Sequence, residues 1–451
     1  MTPEALCTAA LQLGAGWQVR ECRFEGEPRR LLRKLDFEEG KRFGCPQCGQ
    51  LCPTHDTSIK RWRHLNFFQY ECLLEARVPR SNCPEHGILS VAVPWAREGS
   101  GFSLLFEALA MLLCREMPMG AVAEALGEHD TRLWRVAAHY VEVAHAKNSW
   151  AKVRAISVDE TSARRGHRYV TNVLDAQTHQ LLLMVEGRSA EALETFAQAL
   201  GAHGGKAQQS ELISMDMSPA YQSGASRFFP QAQIVFDRFH LMQMAGQAVD
   251  QVRKELARAG ADLKGSLWAL RGNEWTRSQE QSQQRSALCN RYPKLGRAIG
   301  LRDTLQDILA DEDQEALRWW CKRAKLSRLE PFRQLAQSIQ ERWSGVVAFL
   351  KTRLSNGAIE AVNGLLQLAK RLARGFRSLR YFRIMAYLKA AGLHFDLPSL
   401  LPTRNSESPE IQSNFSTLPL LAISKSYGKM NLPPKRETKW LPDNPITARS
   451  D

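Results

Sequence analysis

The sequence predicts a multidomain α/β protein, and three observations carry that expectation. At 451 residues the chain is long enough for two to four folded units, since domains run to roughly 100–200 residues. Near residue 153 the texture changes from helix-period apolar spacing to short strand-like runs interleaved with helices. Five of the ten cysteines fall between Cys45 and Cys83, which marks a small metal-binding module ahead of the α/β part.

Hydrophobic residues at 44% and charged residues at 24% are the proportions of a chain that buries a core, so wholesale disorder is excluded. Sixty-one Lys plus Arg against 47 Asp plus Glu leaves a net charge of +14, which suits a polyanion such as nucleic acid. The first residues carry Glu4 and no basic start before an apolar run, so no secretory signal is read. The longest apolar stretch, 102–114, is interrupted by Glu107 and is too short to span a bilayer. A cytoplasmic protein with no membrane partner is expected, and there the sparse cysteines stay reduced.

Residues 1–40 read as an N-terminal segment and 41–95 as a zinc-binding module. Cys45-Pro-Gln-Cys48-Gly49 is answered by Cys83-Pro-Glu-His86-Gly87, and two such turns point four ligands at one tetrahedral ion. Cys52-Pro-Thr-His55 is a third pair of the same spacing and an alternative source of a ligand. It ranks second because Gly49 and Gly87 close the other two turns. Between the pairs, Lys60-Arg61-Trp62-Arg63-His64 interleaves basic and aromatic residues, so Arg61 and Arg63 suit either a DNA backbone or a solvated face.

Residues 100–148 are helical in pattern. Phe102, Leu105, Leu109, Leu112 and Leu113 keep helix spacing, Met117-Pro118-Met119-Gly120 breaks it, and a short helix over 121–127 precedes a second over 132–141. This is a helix-turn-helix layout that would present Arg132 and Arg135 to a major groove, although an ordinary helical hairpin shares the pattern.

From 150 to 245 strands are expected over 153–159, 168–174, 180–185, 212–216 and 233–236, with helices over 189–200, 219–228 and from 239. The order strand, strand, strand, helix, strand, helix, strand, helix is how a ribonuclease H-like core is wired. Residues 246–350, charged and Trp-rich with no strand signal, read as a helical insertion. Residues 351–396 return to the core with its last helices, and 397–451 mix Pro, Ser, Asn and Lys without periodicity, as a poorly ordered tail does.

Three carboxylates occupy informative places. Asp159 is expected to end the first strand and Asp216 the fourth, and neighbouring strand ends are where open α/β sheets bind ligands. Glu360 lies in the first turns of a late helix whose apolar face is Ile359, Val362, Leu366 and Ala369, while Glu360, Asn363 and Gln367 share a polar stripe. Singly, each has an ordinary use as a turn former, a cap or a partner of the helix dipole.

Four strings resemble bacterial insertion-sequence transposases of the ISL-three group. They are Ser157-Val-Asp159-Glu-Thr-Ser-Ala-Arg-Arg-Gly-His-Arg-Tyr169, Met215-Asp216-Met-Ser-Pro-Ala-Tyr221, Phe236-Asp237-Arg-Phe-His240-Leu241 and Ser355-Asn-Gly-Ala-Ile-Glu360-Ala-Val-Asn363. The resemblance covers about residues 40–395 and implies a DDE transposase with Asp159, Asp216 and Glu360 as a metal-binding triad. It implies Mg²⁺ or Mn²⁺ at the triad, since hard oxygen ligands suit those ions, besides Zn²⁺ on Cys45, Cys48, Cys83 and His86. Water would cut at the element's ends, and the freed 3′-hydroxyls would then join target DNA.

Double-stranded DNA is therefore the expected partner, both as terminal inverted repeats and as target, with a homodimer or larger assembly on the bacterial nucleoid. Asp237 and His240 are accessory candidates. Lys370, Arg371, Arg374 and Arg377, in a run of basic residues without an acid, form an expected DNA track. The rival readings are a domesticated transposase acting as a repressor and a nuclease that cuts without rejoining.

Overall fold

The computed structural model describes residues 2–400 apart from 12, 15, 165, 167 and 272–277. The expected disorder of the tail therefore falls, from residue 401 on, outside the described residues.

After helix α1 (Pro3–Leu11), strands β1 (Trp17–Glu25) and β2 (Arg30–Phe37) form a hairpin. A two-stranded ribbon, β3 (Phe43–Gly44) and β4 (Leu51–Cys52), leads into the long strands β5 (Thr54–Phe67) and β6 (Tyr70–Cys83), and β7 (Gly87–Ser90) pairs with the end of β6. The sheet runs β1-β2-β6-β5, with β2 parallel to β6. The boundary expected at residue 40 is thus not one. Trp17, Val19, Leu31 and Leu35 come from before it and are buried against Trp62, Leu74, Ala76 and Trp95 from beyond it. Only the pooled apolar faces make a core.

Helices α2 (Leu104–Glu116), α3 (Met119–Leu126) and α4 (Asp130–Lys147) follow. Ser103 caps α2 by accepting from the Phe106 N–H, and Gly127 ends α3 at φ 64°, a left-handed conformation that favours glycine.

The second sheet is built from β8 (Ala155–Arg164), β9 (Arg168–Asp175), β10 (Leu181–Glu186), β11 (Leu212–Met215) and β12 (Gln233–Phe236) in the order β10-β9-β8-β11-β12. The first three are antiparallel, and β11 is parallel to both β8 and β12. Helix α5 (Glu191–Ala202) lies in sequence between β10 and β11, and α6 (Pro219–Phe228) between β11 and β12. Val158 of β8 and Val173 of β9 pack into one core with Leu193, Phe196 and Tyr221 of these helices. Because side chains alternate along a strand, the residues beside them, Asp159 and Asn172, face the other way.

The chain then continues in helices: α7 (Arg238–Arg258), α8 (Leu267–Arg271), α9 (Gln279–Arg291), α10 (Pro293–Asp311), α11 (Gln314–Leu326), α12 (Glu330–Glu341) and α13 (Trp343–Thr352). No break falls at residue 246, since α7 runs straight through it. At the far end α13 returns to the sheet, where Gly345 lies so close to Phe236 that a Cβ would run into the ring. Helices α14 (Gly357–Leu372) and α15 (Leu379–Ala390) complete the described chain. Among the described residues no helix is long and apolar enough to cross a membrane.

Candidate active site and zinc centre

The three candidate carboxylates come together on the α14 side of the second sheet. Asp159 does not end its strand, as the sequence had suggested, but stands midway along β8. Its neighbour β11 pairs with β8 only as far as Ser157, so Asp159 lies just past the end of the parallel pairing. Asp216 follows the last residue of β11, and its Oδ1 accepts the Ser218 N–H at 2.9 Å. Glu160 points to the opposite face, toward Tyr221 and Arg188.

Helix α14 carries Glu360 in its first turn and is sewn to the sheet by polar contacts. Before it, the buried Asn356 accepts from Ser214 Oγ at 2.6 Å and donates its backbone N–H to Asp237 Oδ1 at 3.2 Å. Further along, Asn363 Nδ2 donates to Asp159 Oδ2 at 2.8 Å and Gln367 Nε2 donates to Thr161 Oγ1 at 2.7 Å. Lys370 Nζ donates to the Ser162 carbonyl at 2.5 Å. The stripe opposite Ile359, Val362 and Leu366 thus aligns the helix on β8.

Burial and like charge act on this cluster. Burial pushes Asp159 up to about 6, with the Asp216 charge adding to it against the Glu160 N–H, His240 and the Asn363 amide. Burial likewise raises Glu360 to about 7, with Asp237 and Asp159 repelling its charged form and His240 favouring it. Glu360 Oε1 is buried without a hydrogen-bond partner. Hard oxygen donors that repel one another, one of them unpaired, fit a divalent cation that would reverse both effects.

Of the accessory candidates, Asp237 is 2% exposed and caps α7 by accepting the Phe239 N–H at 3.1 Å, so it is a strut beside the site. His240 Nδ1 lies 3.9 Å from Asp237 Oδ2 and has no hydrogen-bond partner.

At the first module Cys45, Cys48, Cys83 and His86 converge as the sequence predicts. Cys45 and Cys48 flank the turn between β3 and β4, while Cys83 ends β6 and His86 precedes β7. Cys52 is buried beside Cys45 and Cys83, but its Sγ donates to the Gln50 carbonyl and it stands outside the four-ligand group.

One of the expected DNA contacts needs correction. Arg63 is 6% exposed, with its guanidinium engaged by the His64 carbonyl, Asn66 and Glu71 and lying over the Phe106 ring. It holds the module to α2 and offers nothing to phosphate. Arg132, its side chain 42% exposed, pairs with Glu128 at 2.5 Å and lies 4.2 Å from the Phe102 ring centroid, so it also braces the turn. Arg135 is exposed, whereas much of α4 is buried and Trp134 stacks on Tyr381 of α15 at 4.2 Å. Arg61 is exposed and paired with Glu75 at 2.6 Å. Arg371, Arg374 and Arg377 are exposed, the last near Asp130 at 3.7 Å, while Lys370 is the half-buried tether already described.

Residues 156–386, just over half of the chain, match the transposase domain of family ISL3. The chain belongs to the ISL3 family of insertion-sequence transposases. Residues 91–141 match the helix-turn-helix domain of the same family, and 41–86 match the zinc-finger of transposases IS204, IS1001, IS1096 and IS1165. The transposase of IS1557 from Mycobacterium tuberculosis is 30% identical over 411 residues, covering 83% of this chain and 91% of that one. The IS1001 transposase of Bordetella parapertussis is 28% identical over 387 residues, covering 81% and 94%. Among solved structures, a chain from the complex of the simian T-cell lymphotropic virus intasome with PP2A regulatory subunit B56 gamma aligns over 28% of this chain and 50% of its own. Its identity is 14% and its TM-score 0.17, too low to establish a shared fold. As an ISL3 transposase the protein is an enzyme that cleaves DNA and transfers strands, and within its zinc-finger domain Cys45, Cys48, Cys83 and His86 form a cluster that could hold a metal ion.

Missing from the sequence reading are Asn356 and Asn172. Asn356 lies within the late-helix string, but its link to Asp237 joins residues 119 apart, which no periodicity reveals. The only signal for Asn172 is a polar residue inside an apolar strand run.

Proposed function

We propose that Asp159, Asp216 and Glu360 are the catalytic triad of this transposase, set in a ribonuclease H-like core that the helices from α7 to α13 interrupt. The strand order β10-β9-β8-β11-β12, with its antiparallel and parallel halves, supports that core. The observation that carries the triad is the unpaired, buried Glu360 Oε1, on a helix whose Asn363 bonds Asp159, its pKa raised first by burial and then by Asp237 and Asp159.

Asp159, Asp216 and Glu360 would hold Mg²⁺ or Mn²⁺, which would supply neutralising charge at the phosphate and activation of the attacking oxygen. Asp159, midway along β8 and just past its pairing with β11, and Asp216, just after β11, fix two acceptor groups on the sheet, and α14 brings the third beside them. His240, whose charge acts on both Asp159 and Glu360, would contact the scissile phosphate. Water first breaks a P–O bond at each element end, releasing a 3′-hydroxyl. That hydroxyl then attacks a target phosphodiester in the same site, exchanging one P–O bond for another with no covalent enzyme intermediate.

The zinc module and the α2–α4 segment recognise the terminal inverted repeats, with Arg61 and Arg135 as their exposed contacts, while Arg371, Arg374 and Arg377 follow the DNA backbone beside the triad. Pairing two ends before strand transfer calls for a homodimer or larger assembly on chromosomal DNA. The test is a labelled duplex carrying the element end, incubated with Mg²⁺ and wild-type or Asp216→Asn protein. End cleavage and joined products that vanish in the variant are expected, and equal cutting by both proteins would reject the triad.

A further inference from the structure

Asn172 is 0% exposed in the middle of β9, among Val170, Val173 and Leu174, and its Oδ1 has no hydrogen-bond partner. A buried amide left half unsatisfied in an apolar strand is costly and calls for a use of its other half. That other half is the Nδ2, which donates to Asn363 Oδ1 at 2.6 Å. Asn363, 8% exposed, then donates its own Nδ2 to Asp159 Oδ2 at 2.8 Å, and Asp159 stands opposite Asn172 in the β8–β9 register. Only one polarity satisfies this chain. Turning the Asn363 amide would set its oxygen against the Asp159 carboxylate, and turning Asn172 would set two amide oxygens face to face.

We propose that Asn172 and Asn363 form a positioning relay that fixes the Asp159 carboxylate for its metal, an inference that rests on the triad reading above. The Glu160 N–H holds Oδ1 at 2.8 Å and the relay holds Oδ2, so both oxygens of the carboxylate are fixed. Asn172 touches neither metal nor DNA. It acts solely by setting the direction of the Asn363 amide, as outer groups orient ligands in metal sites.

The test is Mn²⁺ binding to the zinc-loaded full chain, followed by the electron paramagnetic resonance of free Mn²⁺, with thermal melting in parallel. Asn363→Ala and Asn172→Leu are each expected to weaken Mn²⁺ binding about 10-fold or more. Their double variant is expected to be no weaker than Asn363→Ala alone, because both changes cut one chain of bonds. Asn172→Leu removes an unsatisfied amide oxygen but orphans Asn363 Oδ1, so its melting temperature should fall no further than that of Asn363→Ala while its Mn²⁺ affinity falls. Wild-type affinity in both single variants, or losses that simply add, would overturn the relay while leaving the triad intact. Retained Mn²⁺ binding by Asp159→Asn would instead remove the triad reading and the relay with it.

Discussion

Asp237 reaches across 119 residues of chain to Asn356, its Oδ1 accepting the Asn356 backbone N–H at 3.2 Å. Its Oδ2 caps α7, and Asn356 accepts from Ser214 Oγ at 2.6 Å, so the start of α14 is tied to the ends of both β11 and β12. The helical stretch between them can vary in shape without moving Glu360, provided this tie holds.

Asp237→Ala should therefore cost about 1–3 kcal/mol, from a lost cap and an orphaned buried N–H, and should lower cleavage by displacing Glu360. Asp237→Asn keeps an acceptor oxygen and should lose less. Thermal melting of the two variants measures the difference, and an Ala variant as stable as wild type would mean that α14 is held by its apolar face alone.

The raised carboxyls make a pH prediction. Asp159 at about 6 and Glu360 at about 7 bind protons more tightly folded than unfolded, where carboxyls titrate near about 4. Their contribution to stability is thus complete below about pH 4 and is lost as pH rises through about 7. Without added Mg²⁺ or Mn²⁺, melting temperature should fall across that window, and Glu360→Gln should flatten the fall. Added Mn²⁺ favours the charged carboxylates and should restore the high-pH end. A melting profile identical in wild type and Glu360→Gln would show that Glu360 is not repelled there.

What the sequence revealed was local. The Cys45-Cys48 and Cys83-His86 turns, the strand runs and the polar stripe of Glu360, Asn363 and Gln367 are each written within a few residues, and each takes its expected place. What it concealed was pairing between distant segments. Arg63 looked like a DNA contact because its neighbours are basic, yet Glu71 and Phe106 bury it. The strands before residue 40 were illegible because their apolar faces make sense only beside β6. Asp159 lies mid-strand because β8 outruns its parallel neighbour β11, a length mismatch that belongs to the sheet and not to either strand.

The zinc cluster predicts a clean contrast among cysteines. Cys83→Ser removes a ligand from the four-residue group and should leave substoichiometric zinc, a lower melting point and weaker binding to the element end. Cys52→Ser, one residue beyond the β3–β4 turn with its Sγ on the Gln50 carbonyl, should keep one zinc per chain. Elemental analysis of the purified variants decides this. Zinc lost from Cys52→Ser and retained in Cys83→Ser would move the ligand set to the alternative pair.

Arginine substitutions separate DNA contact from architecture. Arg371 and Arg374 are exposed at the end of α14, so replacing either with Ala should weaken DNA binding at all sequences alike. Each loss should reduce the slope of log affinity against log salt by about 1 and leave the melting temperature near wild type. Arg63→Ala should do the reverse. Removing the guanidinium from over the Phe106 ring leaves the His64 carbonyl and Asn66 without their partner, while Glu71 keeps Arg30, and should cost about 1–3 kcal/mol of stability. DNA binding by the surviving folded fraction should keep the wild-type salt slope, because no phosphate contact has been lost. Gel-shift titrations at several salt concentrations, run beside melting curves, distinguish the two classes. A reduced slope in Arg63→Ala with unchanged melting would return that residue to the DNA interface.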